Sequence, residues 1–469
     1  MSKDRDEYLD RDRSYSPGRR RRRNNRRFVL FGVILAVMAV GCGVLGYTLA
    51  IKYLEKNEPK NNPGQGQVTQ VANASQTPAV NNTSTPTPTP SATPTPFIRP
   101  GFDDPYLIGF DDFREPFPVR GAYVGHMSKG SSIYDNITWL AGFTELNAVV
   151  IDVKDDFGYI TYDMDCKAVQ DMGLVTPKDG KYYIEDMKGL LEDLHSRGIY
   201  CIARVVCFKE SYYTDSPIVR LHPDWLLKTK SGELFRDNTV LNGTSKPYAW
   251  MNFYNRDALE FIVDVAEQAA LDGFDEICFD YMRTPTDVKL SDLDYGTEAE
   301  SVSYSEQIVK FIRYACNRLK PLGVFVSGSV YGITIDSAID SANLGQDYKE
   351  LAGYLDYICP MIYPSHYGTN FGVIENVKEH PYELVAMEVR NSEKKLKAVS
   401  ESEVRKTASC RPWLQAFGYE YGQIRVQVDA CYENGADTWL YWNSGGYYEQ
   451  EVFLTKEEAA AQAEQQKNE

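Results

Sequence analysis

From residue 120 onward, short apolar runs alternate with longer stretches whose apolar positions recur every three or four residues. The runs cover 121–126, 148–154, 200–208, 276–283, 323–330, 357–363, 412–417 and 438–442. Each has the length of a buried strand. Between most of them, 184–197, 258–271, 305–319 and 382–399 carry a helical stripe; in the first, Met187, Leu190, Leu191 and Leu194 share one face. Gly198, Gly273 and Gly435 follow the last periodic residues and predict helix C-termini. Eight strand–helix alternations predict a (β/α)8 TIM barrel with insertions. A doubly wound open sheet is the rival, but no glycine-rich phosphate loop follows the first run.

Strand parity then raises a question of charge. In a barrel strand, alternate residues face the helices and the interior. Val149, Ile151 and Val153 take one parity, which leaves Asp152 and Lys154 pointing inward. Arg204 and Asp280 are inward by the same reading. Charges can occupy a barrel interior only if they are paired and hydrogen-bonded. An ion-pair lattice that merely holds the barrel together is the plain explanation for Lys154 and Arg204. Asp280 falls at a strand's C-terminal end, where barrel enzymes keep their sites.

The N-terminal hundred residues read differently. Residues 28–51 form an uncharged apolar run, long enough to cross ~30 Å of hydrocarbon as a helix. Residues 1–27 hold eleven Lys/Arg against five Asp/Glu. The positive-inside rule puts this basic tail in the cytoplasm and the rest outside the membrane. A cleaved signal peptide fits less well, because the run is too long and no small-residue site closes it. A lipoprotein site at Gly41-Cys42 fits poorly too, with Ala39 at its start. Residues 52–100, rich in Asn, Thr, Ser and Pro, are expected to be a disordered spacer. A barrel domain over 118–455 and a tail or frayed helix over 456–469 complete the expected organisation.

The whole chain has a net charge of −16, so the part after residue 27 carries −22. An acidic body argues against nucleic acid as a partner. Nine cysteines without Cys-x-x-Cys spacing read as core thiols. Five histidines with no His-x-His argue against a metal-dependent hydrolase, and no metal or cofactor is expected. No Gly-x-Ser-x-Gly elbow supports an esterase.

Several runs are distinctive: LNAVVIDVKDD at 146–156, GIYCIARVVCFK at 198–209, GFDEICFDYMR at 273–283, PMIYPSHY at 360–367 and PWLQAF at 412–417. In these the chain resembles the DUF4015 family of bacterial glycoside-hydrolase-like domains, over about residues 118–455. The resemblance implies a TIM barrel acting on carbohydrate, with Asp280 as a catalytic carboxylate at the end of strand four. The amylase pattern is absent: strand five carries no acid, and strand seven offers Gln415. The chitinase pattern, which ends in Glu, is not met either.

Glycoside hydrolysis usually needs two carboxyl groups around an oxocarbenium-like transition state. Asp152 ranks first as partner to Asp280. Asp155, Glu210, Asp336 and Asp347 are further candidates. Lys154, Arg204 and Arg283 are expected to hold these carboxylates ionised or to bind an acidic sugar group. Tyr123, Tyr281, Tyr363, Tyr367, Trp250 and Trp442 are expected to stack on sugar rings, with His366 and Gln415 on the same rim. Trp413 and Trp439 fit the core better, and His126 is placed like His366. The expected function is a membrane-anchored extracellular glycoside hydrolase of a cell-envelope or surface polysaccharide. The alternative is a noncatalytic carbohydrate-binding barrel that organises the cell wall.

Overall fold

The computed structural model describes residues 99–108, 117–212, 216–237, 247–286, 288–403 and 406–466. The expected cytoplasmic tail, the span 28–51 and nearly all of the spacer lie outside these residues. Among the described residues, no helix is long and apolar enough to cross a membrane.

Eight parallel strands close on themselves: β1 (Arg120–Gly125), β2 (Ala148–Lys154), β3 (Tyr200–Val206), β4 (Glu276–Asp280), β5 (Phe325–Tyr331), β6 (Tyr357–Ile362), β7 (Trp413–Gln415) and β8 (Trp439–Trp442). Neighbours in sequence pair in order, and β8 pairs back onto β1 with Gly121 opposite Leu440. Helices α1 (Ser132–Phe143), α2 (Met187–Ser196), α3 (Arg256–Asp272), α4 (Tyr304–Leu319), α5 (Tyr348–Ala352), α6 (Pro381–Glu403), α7 (Tyr421–Tyr432) and α8 (Lys456–Gln466) follow the strands in turn. This is the predicted (β/α)8 order, not an open sheet.

Local signals set the element ends. Asn255 Oδ1 accepts from Ala258 N at 3.0 Å to start α3, and Gly273 ends it at φ 113°. Leu259, Ile262, Val263 and Ala266 bury the inner face of α3. Truncating Ile262 to alanine would remove about 2–5 kcal/mol. The C-terminal stretch expected as a tail or frayed helix forms the eighth barrel helix. Thr455 Oγ1 accepts from Glu458 N at 3.2 Å, and Glu458 Oε2 accepts from Thr455 N at 2.8 Å. That reciprocal cap starts a helix in a sequence with little hydrophobic patterning.

Two cores follow from strand parity. Val149, Ile151, Val153, Ile277 and Phe279 pack outward against the helices. Ala148, Val150, Ile202, Cys278, Cys359, Trp413 and Leu440 fill the interior. Near the strands' N-terminal ends lies a charge pair not foreseen from the sequence. Arg411 grips Glu276 with both terminal nitrogens, one at 3.0 Å, and stacks on Tyr357 at 4.0 Å. Tyr200 OH donates to Glu276 at 3.1 Å. The eight described cysteines are buried and unpaired, as expected for core thiols.

A segment after β3 adds a small antiparallel pair, Lys209–Tyr212 with Tyr248–Trp250. It forms a wall beside the C-terminal end of the barrel, because it begins only three residues beyond Val206.

Candidate active site

The C-terminal mouth is organised by one guanidinium. Arg204 lies on the inward parity of β3 and is 1% exposed. Its Nε donates to Asp280 Oδ2 at 2.8 Å. Its Nη1 donates to Asp152 Oδ1 at 2.8 Å and to Asp156 Oδ2 at 3.0 Å. The rings of Trp442 and Tyr123 lie 5.1 and 5.6 Å from the guanidinium carbon. Burial disfavours the charged form of Arg204, but Asp156, Asp152 and Asp280 outweigh it and hold the group cationic.

The acids differ in surroundings. Asp152 is buried, and Tyr123 OH donates to its Oδ2 at 2.6 Å. Burial raises its pKa, although Arg204 opposes the rise. Asp156 sits just beyond β2 with 28% of its side chain exposed. Burial acts against its charge too, but Arg204 and Lys209 pull its pKa well below the ordinary range. Lys209 Nζ lies 3.3 Å from Asp156 Oδ1 and 3.4 Å from Tyr281 OH. Asp280 keeps 9% of its side chain exposed, and its Oδ1 accepts from Tyr281 N at 2.7 Å. That bond depends on an unusual backbone: Tyr281 has φ +52°, a conformation bulky side chains rarely adopt. Asp155 turns the other way. Its Oδ1 accepts from Phe157 N and Tyr159 N at 2.9 and 3.0 Å, and its Oδ2 lies 3.4 Å from His126 Nε2.

The structure therefore joins Asp280, Asp152 and Arg204, as strand parity predicts. Lys154 departs from the prediction. A register shift between β2 and β3 follows Asp152, so Lys154 sits opposite Val205 instead of continuing the inward series. It forms a fully buried pair with Glu210, 3.2 Å away, and has no surface to offer a sugar. Trp250 is 2% exposed and donates from Nε1 to Asp237 at 2.9 Å. Gln415 braces two loops: its Oε1 accepts from Ser365 N, and its Nε2 donates to Phe417 O, both at 2.9 Å. Arg283 is buried among the rings of Trp250, Tyr281 and Tyr331, each about 5 Å from its guanidinium carbon. These four stiffen the mouth.

Of the remaining aromatic candidates, Tyr123, Trp442 and Tyr363 stand beside Arg204 or Asp280. Trp442 lies 4.0 Å from the Tyr123 ring and 5.7 Å from Trp413. Trp413 Nε1 donates to Ser329 inside the barrel, whereas Trp439 packs on the helix side. Tyr363, His366 and Phe417 form a second group, with centroids between 5.3 and 5.9 Å. Tyr367 packs against Phe371 in the outer core. Asp336 and Asp347 stand elsewhere: Asp336 accepts from Asn391 on α6, and Asp347 caps α5. Glu210 is spent on Lys154. Asp156 and Lys209 escape a parity reading because they lie just past the strands, although the consecutive acids at 155–156 were a visible signal.

No curated protein is similar enough in sequence to count as a relative. Among solved structures, a hypothetical protein from Ruminiclostridium thermocellum is 29% identical, with a TM-score of 0.36, over 44% of this chain and 96% of its own. The glycoside hydrolase domain of PgaB (BpsB) from Bordetella bronchiseptica is 14% identical, with a TM-score of 0.47, over 70% of this chain and 94% of its own. An α-galactosidase from Thermus thermophilus is 14% identical, with a TM-score of 0.43, over 74% of this chain and 61% of its own. None of the three bears on the reading of the site. The family is decided by the match of residues 121–448 to the model described as "Putative glycosyl hydrolase domain": the chain belongs to the DUF4015 family.

Proposed function

We propose that this chain is a glycoside hydrolase whose barrel mouth cleaves a polysaccharide of the cell envelope or surface, held outside the cell by a membrane helix at 28–51. The observation that carries the proposal is the set of carboxylates around Arg204 at the end of the barrel where barrel enzymes keep their sites. Their environments push two of them apart: Asp152 is raised by burial, while Asp156 is drawn down by Arg204 and Lys209. Such divergence is how one site supplies both a proton donor and a charged carboxylate. Asp280 reaches the mouth and acts at the anomeric carbon, as nucleophile or by orienting water. Asp152 is the proton donor, and Asp156 stabilises positive charge developing on the sugar. Trp442, Tyr281 and His366 shape the rim.

One observation favours the second reading, a carbohydrate-binding barrel without turnover. Both Asp152 oxygens are engaged, one by Arg204 and one by Tyr123, and the residue is 1% exposed. Catalysis then requires this side chain to exchange a partner when substrate arrives.

The test incubates the protein and its Asp280→Asn form with a panel of envelope and surface polysaccharides, and analyses released oligosaccharides by mass. Release by the parent alone is expected. Equal release by both removes Asp280 from catalysis. Binding of one glycan by both forms with no release establishes the noncatalytic reading.

A further inference from the structure

A cavity of about 360 Å³ opens on the opposite, N-terminal face of the barrel, between α1, the end of α2 and α8. The mechanism above makes no use of it. Three cations line it: Arg120 at the start of β1, Arg197 just past α2 and Lys456 at the start of α8. The chain after residue 27 carries −22, so three cations around one cavity run against its overall balance. Two of the cations are held in place. Arg120 lies over the Tyr432 ring at 5.4 Å, and its buried Nε has no hydrogen-bond partner among the described residues. Arg197 Nε donates to Asp193 at 2.8 Å, and its Nη2 donates to Tyr134 OH at 3.2 Å.

One carboxylate, Glu145, also lines the cavity and would oppose an anion. Its oxygens are already occupied: Leu454 N donates to Oε1 at 2.9 Å, and Tyr432 OH donates to Oε2. Arg120 approaches it only to 3.9 Å. Burial also raises the Glu145 pKa, which weakens its opposition. Asn147 contributes polar surface without charge.

We propose that this cavity binds a phosphate group, with Arg120, Arg197 and Lys456 as its donors. Guanidinium forks match the oxygens of phosphate, and a lysine adds a mobile point charge. The volume leaves room for a phosphate carried on a larger molecule. Two sources share this chemistry: a small phosphorylated molecule and a phosphodiester- or polyphosphate-like polymer.

The experiment titrates the full-length chain in detergent, at low ionic strength, with pyrophosphate and separately with long-chain polyphosphate, by calorimetry. One pyrophosphate per chain is expected. The double variant Arg197→Gln/Lys456→Gln, both at exposed positions, should weaken binding at least tenfold, while Asp280→Asn at the other end leaves it unchanged. Tighter binding of polyphosphate, lost in the same double variant, identifies a polymer as the source; no preference identifies a small molecule. The basic residues 19–27 also attract anions, so binding that survives intact in the double variant belongs to them and overturns the proposal. No binding by the parent overturns it equally.

Discussion

Arg204→Met isolates the interaction on which the mouth depends. Methionine keeps most of the side-chain volume and removes the charge. Three charge-assisted hydrogen bonds, at 2.8, 2.8 and 3.0 Å, disappear together. Asp152, 1% exposed, then keeps only its bond from Tyr123 and loses its cation. Breaking a buried ion pair by deleting one partner costs about 3–5 kcal/mol, because the other charge remains buried. For a domain of this size that is a fall in Tm of about 4–7 °C. The pH dependence has a definite sign. In the parent, Arg204 and Lys209 depress the Asp156 pKa below its unfolded value. That stability is present above the unfolded pKa and is lost as pH falls through the folded one. Without Arg204 the depression of Asp156 weakens and Asp152, already raised by burial in the parent, rises further, so the variant loses stability as pH increases above the unfolded pKa. The gap between parent and variant therefore widens from pH 4 to pH 7.5. Thermal unfolding of both proteins across that range checks it. A second variant, Arg204→Met with Asp152→Asn, should recover part of the loss, since it removes the stranded charge. A gap under 1 kcal/mol at pH 7.5, or one that does not change with pH, would refute the reasoning.

Three other outcomes are expected. Glu388 on α6 is fully buried, neither oxygen has a hydrogen-bond partner among the described residues, and burial pushes its pKa up to about 9 from 4.5. Its contribution is complete below the unfolded pKa and is lost as pH rises toward 9, so Glu388→Gln should gain about 3 kcal/mol over the parent at pH 7 and nothing at pH 4. Parallel stability curves would dismiss this. Tyr281 at φ +52° makes Tyr281→Gly more stable than Tyr281→Ala by about 1 kcal/mol, measured by denaturant unfolding, and the reverse order would contradict the strain. Deleting residues 28–51 should move the protein from the membrane to the soluble fraction; membrane retention of the deleted form would dispose of the anchor.

How much of this was legible in the chain depends on which physical rule each residue obeys. The barrel was readable because its strands are short apolar runs between helical stripes, and the eight runs fall on the eight strands. Inward parity placed Arg204, Asp152 and Asp280 together, since alternation survives wherever the ladder is regular. It failed at Lys154, where one register shift changes which position continues the inward series. It also missed Asp156 and Lys209, because a residue beyond a strand end has no parity. Glu276–Arg411 was missed for another reason. Its partners are 135 residues apart, and pairing across a closed barrel leaves no local trace. The eighth helix read only as a tail or frayed helix, because its cap is an exchange between Thr455 and Glu458, while the helix itself has almost no apolar stripe.

The same geometry sharpens the choice between turnover and binding. Arg204 holds three carboxylates, so the mouth is closed upon itself: the groups best suited to act on a sugar are bound to one another. A hydrolase must break part of this network as substrate enters, and the weakest point is predictable. Asp156 has the most exposure and the longest bonds, 3.0 Å to Arg204 and 3.3 Å to Lys209. Sugar hydroxyls can replace those bonds at little expense, because both sides of the exchange are hydrogen bonds near solvent. Asp152 can follow only if Arg204 shifts. A binding module needs no such shift, and its carboxylates can stay paired while the rings of Trp442, Tyr281 and Phe417 take the sugar. Asp156→Asn separates the two cases: it should loosen Arg204 and change turnover in a hydrolase, and change only affinity in a module.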